Sequence, residues 1–378
     1  MWSVFDMQMM ARAITLARRG RYTTAPNPNV GCVLVKDGTV IGEGFHIRAG
    51  GPHAEVHALR QAGEQAQGAT AYVTLEPCSH YGRTPPCAKG LIDAGVSRVV
   101  VAMKDPNPQV AGQGIAMLRD AGIDVSAGLL EAQSRALNPG FLTRMETGLP
   151  FVTVKVAASL DGKTALGNGE SKWITGPAAR ADVQRLRARH SALITGIDTV
   201  LADNPTLNVR LAQLDSVCCD TGVLNDMTLQ QPLRVVLDSR ARLIAADATN
   251  LFGFTAPILL VTTRPYSDAQ LAQFPAHVET LVLPAVAGRV DLTALLQHLG
   301  QRVNSVLVEA GATLAGAFIA AGLADELVLY QAMKILGDQG RDMLVLPAYR
   351  AMSDVIDCPV RDARNIGPDR RYILALKQ

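Results

Sequence analysis

The 378-residue sequence lacks several features that would place it in a functional class by composition alone. Charged residues make up 19% of the chain, the formal net charge is +2, and like charges form no run. A nucleic-acid-binding protein usually carries a basic face, so this balance argues against a nucleic-acid partner. No apolar run approaches the length of a membrane span, and the N-terminus lacks the pattern of a signal peptide. We therefore expect no membrane association.

Cysteine is also scarce, with six residues and no dense framework. This usage predicts a reducing, cytoplasmic location. Four of the six are expected to be free thiols, namely Cys32, Cys218, Cys219 and Cys358. The other two, Cys78 and Cys87, lie in a segment whose pattern indicates metal chemistry.

What is present is an alternation of strand and helix signals in two halves. Residues 1–147 begin with an amphipathic helix that we expect Asp6 to cap and Gly20 to end. A new series starts at 148, and its segment 212–231 is interpreted as a long loop without an assigned role. Strands separated by helices predict α/β folds with helices packed on sheets. The predicted strands are 30–35, 40–41, 71–75, 98–102, 123–125, 151–157, 192–195, 234–238, 257–262, 280–283, 305–308 and 326–330.

A zinc site is predicted in the first half. Catalytic zinc takes three protein ligands and leaves the fourth position to water. We expect the ligands to be His53, Cys78 and Cys87, each near the start of a predicted helix, whose dipole favours a thiolate. Glu55 would stand beside the metal and carry a proton from the water to the leaving ammonia. His-x-Glu followed by Pro-Cys and a second cysteine is the signature of nucleobase deaminases.

The spacing of the cysteines departs from the usual Pro-Cys-x-x-Cys, since eight residues separate Cys78 from Cys87. A longer loop can still return to the metal. A purely structural zinc would need a fourth cysteine or histidine, which Cys32 or His80 could supply, so this alternative stays open.

Two other residues, His57 and Asn27, carry weaker signals for a role in this site. His53 and His57 are four apart on one predicted helix, but a zincin needs glutamate directly after the first histidine, where Ala54 stands. We therefore expect a structural or supporting role for His57. Asn27, in a proline-fixed turn before the first strand, would either contact a heterocyclic substrate or only form the turn.

The second half has one local signal for a coenzyme. Residues 311–316 follow a predicted strand and open a helix, so their free amides could receive a phosphate. A tight turn without ligand is the alternative. Arg187 and Arg210 could grip a sugar phosphate with their guanidinium groups or be solvated surface charges.

Eight segments together resemble the bacterial bifunctional riboflavin-biosynthesis deaminase–reductases, in the order of that family and over nearly the whole chain. They are 26–31 (PNPNVG), 53–58 (HAEVHA), 74–80 (TLEPCSH), 82–87 (GRTPPC), 155–163 (KVAASLDGK), 173–175 (WIT), 203–207 (DNPTL) and 308–311 (VEAG). The resemblance implies a cytidine-deaminase-like three-layer domain over 1–147 and a dihydrofolate-reductase-like α/β domain over 148–378.

The resemblance also implies the chemistry and the partners. The substrate would be a small pyrimidine ribotide, 2,5-diamino-6-ribosylamino-4(3H)-pyrimidinone 5′-phosphate. A zinc-dependent step would remove its 2-amino group, and NADPH would then reduce the ribosyl unit to ribityl. Each deaminase domain would hold one zinc ion, and the chain would form a homo-oligomer, either a dimer or a tetramer.

The reductase site follows from the same resemblance. NADPH would contact Ala157, Trp173, Thr199, Asp203, Gly311, Ala312, Thr313, Leu314, Ala315, Gly316 and Ala317. Ser239 would also contact it, and from position and charge Ser239 and Arg240 are candidates for its 2′-phosphate. The substrate would contact Ser171, Arg187, Leu207, Arg210 and Glu309, with Asn27 in the other half. Lys155 and Glu309 are expected at strand ends, where either could assist proton transfer.

Two other classes of function compete with a bifunctional enzyme. A deaminase acting on a tRNA base would share the zinc residues but should show a basic face, which the charge balance does not favour. A ligand-binding protein with one decayed half would have lost candidate catalytic residues, yet Glu55, Lys155 and Glu309 are all in place.

Overall fold

The computed structural model describes residues 2–79, 85–108, 110–214 and 229–377. The chain divides into two compact units, the first ending at Gly148 and the second beginning at Leu149. The helices are α1 (Val4–Ala17), α2 (Ala54–Ala62), α3 (Cys87–Asp93), α4 (Gln113–Asp120), α5 (Glu131–Arg135), α6 (Pro139–Thr147), α7 (Pro177–Arg189), α8 (Ile197–Asp203), α9 (Thr249–Phe252), α10 (Asp268–Leu271), α11 (Leu292–Gly300) and α12 (Ala312–Ala320).

Strands alternate with these helices along both units. They are β1 (Gly31–Lys36), β2 (Thr39–Phe45), β3 (Thr70–Val73), β4 (Arg98–Val101), β5 (Asp124–Ala127), β6 (Phe151–Ser159), β7 (Lys163–Ala165), β8 (Ala192–Gly196), β9 (Leu233–Leu237), β10 (Ile258–Thr262), β11 (Val278–Val282), β12 (Ala285–Val286), β13 (Arg289–Val290), β14 (Ser305–Glu309), β15 (Glu326–Ala332), β16 (Arg341–Asp342), β17 (Val360–Ile366) and β18 (Asp369–Ala375).

The described part of the first unit contains a five-stranded sheet in the order β2-β1-β3-β4-β5. Strand β1 runs antiparallel to β2 and β3, and β3 to β5 are parallel. Asp37 and Gly38 join β1 to β2 with φ of 49° and 77°, as a two-residue hairpin turn requires. Side chains alternate across the sheet, so Leu34 packs in the core under α2 to α4 and Val33 in the core under α1. This confirms the three-layer, cytidine-deaminase-like fold.

The first helix starts earlier than the sequence suggested. Its N-cap is Ser3, not Asp6, and Asp6 occupies the third position of a reciprocal capping box. The Asp6 carboxylate also accepts hydrogen bonds from Tyr72 Oη and Arg98 Nη1, both at 2.8 Å. Asp6 is therefore buried between α1 and the sheet and is 6% exposed. The helix ends at Ala17, and Gly20 ends the 3₁₀ turn after it.

The described part of the second unit contains a nine-stranded sheet in the order β11-β10-β9-β8-β14-β6-β15-β18-β17. Strands β11 through β15 in this order are parallel, and β18 and β17 are antiparallel additions at one edge. This confirms the dihydrofolate-reductase-like α/β architecture. Sequence analysis did not find β17 and β18, because most side chains of β17 are exposed and carry no alternating apolar pattern. Among the described residues, no helix is both long and apolar enough for a membrane span.

Strand β6 is longer than predicted, and the prediction that Lys155 lies at a strand end is wrong. The strand spans nine residues and places Lys155 at its centre, not at its end. Parallel pairing sets Lys155 beside Glu309, which does end its strand, β14. The register of β6 against β14 therefore brings the two charged side chains together.

A buried ion pair joins the C-terminal hairpin to helix α7. Asp182 on α7 accepts hydrogen bonds at 2.7 Å from Tyr330 Oη on β15 and from Arg371 Nη1 on β18. Burial alone would raise the pKa of the Asp182 carboxyl, but the Tyr330 hydrogen bond and the Arg371 charge outweigh it and hold the pKa below its usual value.

We expect Asp182→Asn to lower the free energy of unfolding of this unit by about 3 kcal/mol, because it removes the buried counter-charge of Arg371 and leaves only the partly exposed Asp362 carboxylate beside it. A lowered folded pKa also means that the wild-type contribution is full above the unfolded pKa and is lost as the pH falls through the folded pKa. Urea unfolding at several pH values measures both effects. Tyr330→Phe is the control, since it removes one hydrogen bond and costs about 1 kcal/mol. Equal losses in the two variants would show that the ion pair adds nothing.

Candidate active sites

Three predicted zinc ligands meet in the first unit. His53 is the N-cap residue of α2, and Cys87 is the first residue of α3. Cys78 lies in the loop after β3, so the expectation that each ligand starts a helix is wrong for Cys78. The ligand atoms of the three residues all lie within 4.8 Å of one another.

The distances suit one tetrahedral zinc ion. His53 Nδ1 lies 3.2 Å from Cys87 Sγ and 3.6 Å from Cys78 Sγ. Zinc–nitrogen bonds of about 2.0 Å and zinc–sulfur bonds of about 2.3 Å would separate such ligand atoms by about 3.5 Å. The Cys87 amide also donates to Cys78 Sγ at 3.3 Å, which favours a thiolate there. The donor set therefore fits zinc.

The neighbours of Cys78 stabilise its ionised form. Its hydrogen bond with the Cys87 thiol, assisted by His53, holds the pKa of the Cys78 thiol well below its usual value. Glu55, in the first turn of α2, is only 3% exposed, and burial raises the pKa of its carboxyl. Glu55 Oε2 has no hydrogen-bond partner within the described residues. A buried carboxylate oxygen without a partner beside a metal site can take up or release protons.

The residues around the three ligands bear on whether the zinc is structural or catalytic and on the roles of His57 and Asn27. Cys32 is fully buried and is not part of the metal cluster that the described residues form, and His80 lies outside those residues. Three ligands leave one coordination position open, as a catalytic zinc site requires. His57 is also outside that cluster. Asn27 Nδ2 lies 3.1 Å from His46 Nε2, so the side chain is paired with the residue that follows β2 and not with its own turn.

A cavity of about 1580 Å³ lies in the second unit. It collects most of the residues predicted for coenzyme and substrate from β6, β14 and the segments that follow β8, β9 and β14. The predicted residues that line it are Lys155, Ala157, Ser171, Trp173, Arg187, Thr199, Asp203, Leu207, Ser239, Arg240, Glu309, Gly311, Ala312, Thr313, Leu314 and Ala317.

Three predicted residues do not line this cavity. Ala315 is 1% exposed, and Gly316 is so close to Val345 that a Cβ would lie 2.0 Å from the Val345 carbonyl oxygen. Helix α12 begins at Ala312, so only its first turn and one later face reach the cavity. Arg210 is exposed, and its amide donates to Gln184 Oε1.

The Glu309 carboxylate on the cavity wall interacts with two cationic side chains. Arg187 Nε and Nη2 donate to its two carboxylate oxygens at 2.6 and 3.1 Å, and Lys155 Nζ lies 3.7 Å away. Burial alone would raise the pKa of Glu309, but the charges of Arg187 and Lys155 lower it to about 2. Arg187 Nη1 also donates to the Asn208 carbonyl. Because its pKa is lowered, Glu309 remains an ionised acceptor at neutral pH.

Sequence analysis missed several residues of the cavity. Arg180 stacks on the ring of Trp173 with its guanidinium carbon 4.3 Å from the ring centre. The β12–β13 hairpin reaches the cavity because the Val290 amide donates to Ser239 Oγ at 3.1 Å. No local motif marks these residues, and only their tertiary neighbours reveal their positions.

Comparison with known proteins agrees with both sites. The model of the cytidine and deoxycytidylate deaminase zinc-binding region matches residues 3–103, and that of the RibD C-terminal domain matches residues 150–358. The riboflavin biosynthesis protein RibD of Escherichia coli K12 is 52% identical over 365 residues, 96% of this chain and 97% of the relative. The Haemophilus influenzae protein of the same name is 51% identical over 365 residues, 96% and 95% of the two chains.

Solved structures give the same result. Acinetobacter baumannii RibD, form 1, superposes with a TM-score of 0.89 at 48% identity, over 99% of both chains. The diaminohydroxyphosphoribosylaminopyrimidine deaminase/5-amino-6-(5-phosphoribosylamino)uracil reductase of Thermotoga maritima gives 0.84 at 34% identity, again over 99% of both chains. The chain therefore belongs to the RibD family of riboflavin biosynthesis proteins and is a bifunctional enzyme that joins a zinc-dependent deaminase to an NADPH-dependent reductase.

Proposed function

We propose that residues 1–147 deaminate 2,5-diamino-6-ribosylamino-4(3H)-pyrimidinone 5′-phosphate and that residues 148–378 reduce the product with NADPH. The final product would be 5-amino-6-ribitylamino-uracil 5′-phosphate. The observation that carries this proposal is the pairing of a His-Cys-Cys cluster beside a buried glutamate in one unit with a charged coenzyme-sized cavity in the other. The Thermotoga maritima relative is named for the same two activities.

In the deamination, His53, Cys78 and Cys87 hold the zinc ion. Zinc, when bound, lowers the pKa of a water molecule so that hydroxide is available at neutral pH. The Glu55 carboxylate would take a proton from the attacking water as the water oxygen bonds to C2 of the pyrimidine and the C2=N double bond opens, and would pass that proton to the ring nitrogen. Glu55 would then carry the remaining hydroxyl proton to the departing amino group, which leaves as ammonia while C2 becomes a carbonyl.

In the reduction, Glu309 and its two cations orient the ribosyl unit. NADPH, when bound, would supply a hydride to C1′. The bond from C1′ to the ring oxygen would break, and that oxygen would need a proton from a neighbouring side chain. Glu309 stays ionised at neutral pH, so it accepts hydrogen bonds from the sugar and is not the proton donor. Lys155, 3.7 Å from Glu309, is the neighbouring group that carries protons to give. Ser171 and Leu207 complete the substrate wall, with Arg187 acting mainly through Glu309.

NADPH would lie along the ends of the parallel strands. The free amides at the start of α12, which follows Gly311, would receive a phosphate group. Ala157, Trp173, Thr199 and Asp203 would line the rest of the coenzyme path. Ser239 and Arg240 would contact the 2′-phosphate, because both follow the end of β9 at the same cavity.

The proposal includes the setting of the reaction. The enzyme would act in the cytoplasm on a small molecule, with no nucleic-acid partner, and would form a dimer or a tetramer. The low formal charge of +2 and the scarcity of cysteine support this setting.

One experiment tests both activities together. We expect purified, zinc-loaded protein to release ammonia from the diaminopyrimidinone ribotide and then to oxidise one NADPH per ammonia released. Removal of zinc with a chelator should stop ammonia release but not NADPH oxidation with the deaminated intermediate, since the two sites lie in separate units. Ammonia assay and absorbance of NADPH measure the two steps.

Controls distinguish the two halves of the proposal. Cytidine in place of the ribotide tests whether a general pyrimidine deaminase is present. NADPH oxidation that fails with both the ribotide and its deaminated product would refute the reductase assignment. Ammonia release that is unaffected by zinc removal would refute the zinc mechanism.

A further inference from the structure

Glu76, two residues before the proposed zinc ligand Cys78, is a buried carboxylate with four backbone partners. It is 4% exposed. Its Oε1 accepts from the amides of Gly114 and Ile115 at 3.0 and 3.2 Å. Its Oε2 accepts from the amides of Asp105 and Gly112 at 3.2 and 2.9 Å. Each oxygen therefore bridges two amides.

These four amides join the segment after β4 to the start of α4. Gly112 is the N-cap of α4, where unpaired amides and the helix dipole favour a negative charge. A second contact makes the arrangement tight, because a Cβ at Gly114 would lie 1.9 Å from the Pro77 carbonyl oxygen. Helix α4 packs on α3, which begins at Cys87. The chain is thus fixed on both sides of Pro77, directly before Cys78.

We propose that Glu76 is a positioning residue for zinc, which holds the loop that carries Cys78 at its distance from Cys87 and His53. The inference rests on the zinc site of the proposed function. A carboxylate is needed because four amide donors point at it, and its two oxygens offer enough acceptor sites for them. A glutamine would keep one oxygen and direct its own N–H donors at two of the amides. The loop would then move away from α4, and Cys78 Sγ with it.

The test is the rate at which the protein loses zinc to a colorimetric chelator. Residues that support metal ligands typically change metal affinity by about 10- to 100-fold when replaced. We expect Glu76→Gln to release zinc about 10- to 100-fold faster than the wild type. Gly114→Ala, which displaces Pro77 without touching a carboxylate, should act in the same direction. Far-UV circular dichroism and thermal unfolding of each variant check that the first unit is folded, since reductase activity reports only on the second unit.

One further variant separates positioning from general stability. Asp6→Asn weakens a buried carboxylate network on the opposite face of the same sheet. This variant should release zinc at the wild-type rate, even where thermal unfolding shows that it is less stable. Zinc loss that follows stability across all variants, or wild-type zinc loss in Glu76→Gln, overturns the inference. Wild-type protein that binds no zinc overturns the proposed function and this inference with it.

Discussion

Glu55→Gln is expected to slow ammonia release from the diaminopyrimidinone ribotide by about 10²- to 10⁴-fold, the usual contribution of a positioned acid–base group. The amide can neither take the proton of the water nor return it to the leaving nitrogen. In the wild type, Glu55 Oε2 has no hydrogen-bond partner within the described residues, so it is free to accept a proton, and the substitution removes this capacity. NADPH oxidation with the deaminated intermediate should keep its wild-type rate. Ammonia release and NADPH absorbance, measured on the same preparation, give both rates.

The matched control for this prediction is Glu64→Gln, which makes the same chemical change at an exposed glutamate shortly after α2. Zinc content should be equal in both variants and the wild type, because Glu55 is not one of the three clustered ligands. A Glu55→Gln variant with full zinc and undiminished ammonia release would show that another group moves the protons.

Glu309→Gln is expected to lower the reductase kcat by about 10²-fold, because misplacement of a reacting group by about 1 Å has that effect. The amide cannot compensate Arg187 and Lys155, which face each other across the carboxylate. Ammonia release should continue, so the deaminated intermediate should accumulate. Chromatography of the reaction mixture measures the intermediate, and NADPH absorbance measures the reductase rate.

The pH dependence of the free energy of unfolding, measured with urea, offers a second test of Glu309. Its pKa is lowered from the usual 4.5 to about 2. The stabilising contribution of the ionised form is therefore complete above 4.5 and is lost as the pH falls toward 2. Glu326→Gln is the control, since Glu326 is also partly buried but does not line the cavity. Equal losses of reductase activity in the two variants would mean that Glu309 matters only for stability.

Much of the first unit could be predicted because its chemistry is encoded in short segments. His53 and Glu55 are two residues apart, and the two cysteines flank a single loop, so local sequence nearly determines the cluster. The Asp37-Gly38 turn was predictable for the same reason, since a two-residue hairpin demands residues that tolerate positive φ. Cys78 was placed on the wrong kind of element, and Asp6 was given the capping position that Ser3 occupies.

The second unit depends on contacts that are distant in sequence. Arg187 and Glu309 are 122 residues apart, and no local pattern announces that they pair. The pairing also changes the interpretation of Arg187, which sequence alone suggested as a phosphate ligand. The residues of α12 show the opposite problem, since a contiguous motif included Ala315 and Gly316 although the helix turns them away from the cavity. Helical periodicity applied to the motif would have separated them.

The buried contact between Arg371 and Asp182 has a genetic consequence. Strand β18 supplies the cation that balances Asp182 on α7, and the same helix carries Arg187 to the cavity. A premature stop codon just before Arg371 would leave every cavity-lining residue in the translated chain, since the last of them is Val345. Such an allele should nevertheless behave as a reductase null, because α7 would lose its anchor, while its zinc half would still be encoded intact.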